Sequence, residues 1–102
     1  MIRQKNKVYT NQDVTIRLEL DKYGYAGLNE GDIQSSVVEI LDPDGNSTSK
    51  VGTKSGTDIV IDMGRDEITV AGKWKFQPWV TMVNGNVVPG RTVEIMIYEK
   101  FA

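Results

Sequence analysis

At 102 residues the chain is long enough for one hydrophobic core and too short for two. Its 39% apolar and 25% charged residues are those of a globular domain, which excludes a disordered chain. Fourteen acidic against twelve basic residues give a net charge of −2, which disfavours generic binding to nucleic acid or anionic membrane, and the absence of Cys and His excludes disulfides, thiolate or imidazole metal ligands and a thiol nucleophile.

No apolar run approaches the roughly 20 residues needed to cross a bilayer, and the polar start Met1 to Lys7 is followed by no signal-peptide core. One domain over residues 1–102 is expected, with 1–7 a flexible start. Val14, Ile16, Leu18 and Leu20 alternate with Thr15, Arg17 and Glu19, the period of a strand with one face on a core. Asp21 to Asp32, with three glycines, reads as a long connection. Ser36 to Leu41 is a strand that stops at the turn Asp42-Pro43-Asp44-Gly45-Asn46. A strand from Thr48 to Lys54 follows, then one from Thr57 to Met63 with Ile59 and Ile61 on one face, and a short edge strand at Ile68 and Val70. Gly72 to Val83 is a long strand with Trp74 and Phe76 inward and Lys73, Lys75 and Gln77 outward. It turns at Asn84-Gly85 and returns through Val93, Ile95 and Ile97, whose side chains face the core. The expected fold is all-β, an antiparallel sandwich of about seven strands with no significant helix.

A two-residue loop at Asn84-Gly85 would pair Val83 with Asn86, Met82 with Val87, Val80 with Pro89 and Trp79 with Gly90. Pro78 and Pro89 lack an amide hydrogen, so the ladder is expected to break or bulge where they fall. The base of the hairpin alternates cleanly. The tip, residues 79–90, carries apolar side chains on both faces, and Trp79, Met82, Val83, Val87 and Val88 are the candidate partner contacts. Such a tip is either tucked under a neighbouring loop, with Tyr23 and Tyr25 as covers, or an arm that packs on another chain.

The other candidate chemistry reads as structure. Asp42 to Asn46 has half the carboxylates of a calcium loop and no distal Glu. Gly52-Thr53-Lys54-Ser55-Gly56 lacks the spacing and following helix of a phosphate loop. The acidic pairs Glu30/Asp32, Asp58/Asp62 and Asp66/Glu67 fall in turns or on wet strand faces, whereas a glycosidase needs two carboxylates flanking a cleft. Lys73-Trp74-Lys75-Phe76 interleaves charge and aromatics, but a period of two sends them to opposite faces. Asn46-Ser47-Thr48 is a formal glycosylation sequon. The residues therefore predict no catalytic, cofactor or metal site.

Four stretches carry a resemblance: Asp13 to Leu18, Val38 to Gly45, Ala71 to Gln77, and the closing Gly90 to Tyr98. Together they resemble the small immunoglobulin-like domains of bacteriophage and prophage structural proteins, in tails, baseplates or heads. The resemblance implies a non-catalytic structural or adaptor protein, made in the bacterial cytoplasm and incorporated in a virion. Its partners would be other protein chains, virion components or further copies of itself, with no nucleic acid, membrane or small-molecule ligand. The alternative is a carbohydrate- or receptor-binding module in which Trp79, Tyr23 and Tyr25 supply stacking faces.

Overall fold

The computed structural model describes residues 7–20 and 30–101. Among these residues nine strands are arranged in two sheets: β1 (Val8–Tyr9), β2 (Val14–Glu19), β3 (Ile33–Leu41), β4 (Ser47–Val51), β5 (Thr53–Ser55), β6 (Asp58–Met63), β7 (Gly72–Met82), β8 (Val87–Pro89) and β9 (Val93–Tyr98). The larger sheet has the order β1-β9-β7-β3-β4, with β8 also paired to β7; the smaller has the order β2-β6-β5. All pairs are antiparallel except β1 with β9. Among the described residues the only helical element is a 3-10 turn at Glu30–Asp32. The fold is the expected all-β sandwich. Tyr23 and Tyr25, in the expected long connection, lie outside the described residues.

The period of two builds the core. Ile16 and Leu18 of β2 and Ile59, Ile61 and Met63 of β6 meet Val38 and Ile40 of β3, Trp74, Phe76 and Val80 of β7, and Ile97 of β9 in one buried cluster. Complete burial of side chains of this size is worth about 1.5–3 kcal/mol each, against about 0–1 kcal/mol for an exposed ion pair. The apolar layer therefore holds the sheets together. Trp74 and Phe76 stack with centroids 6.5 Å apart, and the Trp74 indole N–H donates to Val70 O at 2.9 Å, satisfying the polar end of a buried ring.

Several elements depart from the expected ones for local reasons. The strand expected over Thr48 to Lys54 is two strands in different sheets, because the chain crosses between layers at Gly52. There the Gly52 N–H donates to Ser36 O at 3.0 Å, and a Cβ would stand 2.5 Å from Ile59 and 2.6 Å from the Ser36 hydroxyl. The expected edge strand at Ile68 and Val70 is absent; Ile68 is instead a buried plug in the β6–β7 connection. The chain starts its pairing earlier than alternation suggested. β1 lies beside β9, and Asn11, at φ 63°, donates its N–H to Ile68 O at 2.7 Å as the chain passes to the smaller sheet. In β3 a bulge between Ile33 and Ser35 restores the parity that sends both Ile33 and Ser36 inward.

The crossing at Gly52 gives a direct test. Gly52→Ala forces a methyl into Ile59 and Ser36 and is expected to lower stability by about 1–3 kcal/mol, read as a lower urea midpoint with an unchanged m-value.

Candidate functional site

The hairpin from β7 through β8 to β9 carries the candidate contact residues. At its tip the Met82 N–H donates to Asn86 O at 2.8 Å and the Gly85 N–H to Met82 O at 2.9 Å. The loop is thus three residues, Val83-Asn84-Gly85, with Gly85 at φ 92°. A two-residue type I′ turn would need positive φ at Asn84 as well, and Asn84 does not adopt it. Consequently Thr81 faces Val87, Val80 faces Val88 and Trp79 faces Pro89, one residue away from the expected pairing. At the base Phe76 faces Val93, the register a two-residue loop would have set. The difference is taken up between Pro89 and Val93, where the prolines interrupt the ladder as expected.

Pro78 has no hydrogen to return to Gly90, whose own N–H donates to Pro78 O at 2.7 Å. Gln77 supplies the missing donor. Its Nε2 reaches back to Gly90 O at 3.0 Å in a half-buried position. Gly90 is required there, since a Cβ would meet Pro78 at 2.6 Å and Leu20 at 3.3 Å.

The two faces of the tip have different fates. Pro78 and Val80 are buried, and Met82 and Val88 are half-buried against the core. Trp79, Val83 and Val87 are on the other side or at the turn, with Val83 63% and Val87 59% exposed. The register extends this outer surface across four strands as one row, Val51 of β4, Val37 of β3, Trp79 of β7 and Pro89 of β8. Val51 is 78% and Val37 40% exposed. Sequence reasoning missed Val37 and Val51, because only the β3 and β4 registers place them beside Trp79. The Trp79 ring is half-buried, and its indole nitrogen is enclosed with no hydrogen-bond partner among the described residues.

The remaining polar candidates act as structural groups. The Asp42 carboxylate accepts the amides of Asp44 at 3.0 Å and Asn46 at 2.8 Å, capping a turn closed by Gly45 at φ 91°. Asp58 pairs with Arg17 at 2.7 Å, and Asp62 accepts the Thr15 hydroxyl at 2.7 Å. Asp42 and Glu67 line one shallow depression of about 210 Å³ beside Lys50 and Trp74. Glu67 accepts from Lys50 Nζ at 2.7 Å and from the Gly64 N–H at 2.8 Å. The Lys50 ammonium first, and then the Gly64 amide, hold its carboxyl below the ordinary value of 4.5. It is therefore ionised at neutral pH, the reverse of what a general acid needs. Among the described residues no three Asp or Glu side chains converge as a metal would require, and no helix is long and apolar enough to cross a membrane.

No family model, curated protein or solved structure matches the chain.

Gln77→Leu leaves Gly90 O without its donor and is expected to lower stability by about 1–3 kcal/mol, with faster amide exchange confined to residues 78–92. The depressed Glu67 carboxyl contributes stability at pH values above the ordinary glutamate value, and that contribution is lost as pH falls through its native value. Glu67→Gln is thus expected to lower the thermal midpoint at neutral pH, by a contribution under about 1 kcal/mol for so exposed a pair. Scans in acid should show the two midpoints converging.

Proposed function

We propose that this chain is a non-catalytic structural or adaptor domain that docks on other protein chains through the outer face of its hairpin tip, as a component of a phage or prophage particle. The observation that carries the reading is the apolar row Val51-Val37-Trp79-Pro89, continued at the turn by Val87 and Val83. At about 4.8 Å per strand the row is roughly 14 Å long, the size of an interface's anchoring centre. Aromatic and aliphatic residues at such a centre are what protein partners exclude water from.

Two further observations support the particle context. Pairing of β2 with β6 in one sheet, and of β3 with β7 and β7 with β9 in the other, resembles the strand distribution of immunoglobulin-like sandwiches. The sequence stretches that resemble phage domains lie on β2, β3, β7 and β9, the strands of that frame.

Val51 and Val87 are exposed enough to change without disturbing the core. With a photo-cross-linking side chain at position 87, adducts to other protein chains are expected in assembled particles, whereas one at Arg17 on the opposite sheet should give none. Val87→Glu and Val51→Glu should keep the wild-type melting temperature and lose incorporation. Variants incorporated as well as wild type would refute the reading.

A further inference from the structure

The loop Val83-Asn84-Gly85 brings together the parts of a chemical reaction. Asn84 precedes a glycine, so no side chain shields the Gly85 nitrogen, and where a Gly85 Cβ would stand there is nothing within 4 Å. The side-chain carbonyl oxygen of Asn84 accepts the Asn86 N–H at 3.0 Å. The Gly85 N–H donates to Met82 O at 2.9 Å. The bond to Asn84 Oδ1 polarises the electrophile and would hold the oxyanion that forms on it, while the Gly85 N–H must leave Met82 O before base can take its proton. Asn84, Gly85 and Asn86 are all exposed to water.

We infer that Asn84 is a self-modification site, where the hairpin turn converts the side-chain amide to a carboxylate without an enzyme. The Gly85 nitrogen gives its proton to hydroxide and attacks Asn84 Cγ, closing a five-membered succinimide. The Cγ–Nδ2 bond breaks and ammonia leaves, protonated by water. A second water then opens the ring. Attack at Cγ gives aspartate, and attack at the main-chain carbonyl gives isoaspartate with the backbone rerouted through Cγ. The balance is one water gained and one ammonia lost, with no change of oxidation state. Between Lys75 and Arg91 the sequence has no charged residue, so the product places a charge at the turn of an otherwise uncharged hairpin tip. Asn46 differs: it is followed by Ser47, and its Nδ2 is held by the Asp42 carboxylate at 3.3 Å. Asn11 is followed by Gln12.

The test is peptide mapping by mass spectrometry of the purified folded chain held at neutral and mildly alkaline pH. The peptide holding Asn84 is expected to gain the mass difference of water for ammonia, with isoaspartate present and the rate rising with hydroxide. Asn11 and Asn46 should lag behind it. Asn86→Pro removes the N–H on Oδ1 while keeping the carbonyl that Met82 uses, and should slow conversion with circular dichroism unchanged. A comparison needing no variant is the same map in urea, where the turn's two hydrogen bonds are gone; the folded chain should convert at least as fast. An Asn84 that is stable in the folded chain and converts only in urea would overturn the inference.

Discussion

The alternation of side chains along β7 is the constraint on which both surfaces of the larger sheet depend. This strand pairs with β3 from Lys75 onward on one side and with β9 and then β8 on the other, so it is central over most of its length. Trp74, Phe76, Pro78 and Val80 are buried, while Lys73 and Lys75 are exposed and Gln77 and Trp79 half-buried. A slip of one residue would exchange the sets, exposing the stacked Trp74-Phe76 pair and burying two lysines. The inward set is what fixes the outward one. Trp79 is therefore on the outer face because Phe76 and Val80 are not.

A central strand is a poor place for proline, and β7 accommodates one by concentrating the damage. Pro78 directs its missing donor toward Gly90, at the point where β8 gives way to β9 and the ladder changes register. The Gln77 amide fills that gap. The second proline has another effect. The bonded positions at Met82-Asn86 and Pro78-Gly90 turn Val88 toward β7 and Pro89 away from it. An outward proline offers no amide to an incoming strand, which discourages sheet extension along β8. In the proposed docking role, this favours contact through the apolar face over contact through the strand edge.

Much of this was legible in the sequence, because a half-buried strand writes its burial as a period of two. Ile16 and Leu18, Ile59 and Ile61, Trp74 and Phe76 were all readable that way, and all are buried. What escaped depends on contacts distant in sequence. β1 is two residues long and is defined by its partner β9. The crossing at Gly52 is visible only once Ser36 and Ile59 are seen to close on it. Ile68 looks like a strand residue and serves as a plug. In the hairpin, Asn-Gly suggested a two-residue loop, and the geometry chosen instead keeps Asn84 out of positive φ. The candidate contacts divided along the same line. Met82 and Val88 turn toward the core, and Trp79, Val83 and Val87 do not, with Val37 and Val51 joining them through the β3 and β4 registers.

The outer face is divided again along its length. Toward the base, Lys73 and Lys75 flank Glu94 at 3.8 and 3.9 Å, all substantially exposed. Pairs this long and this wet contribute little to stability. Their effect is to keep that half hydrated, since stripping water from three charges would oppose any apolar partner. Beyond Lys75 one charge remains, Glu39 opposite Gln77, and the surface then passes to Trp79, Val37 and Val51. In the proposed docking role, a partner that prefers apolar contact would be directed to one end of one sheet. The enclosed indole nitrogen of Trp79, which has no hydrogen-bond partner among the described residues, belongs to this same region. In the proposed docking role, Trp79 gives the row a broader apolar surface than Phe would.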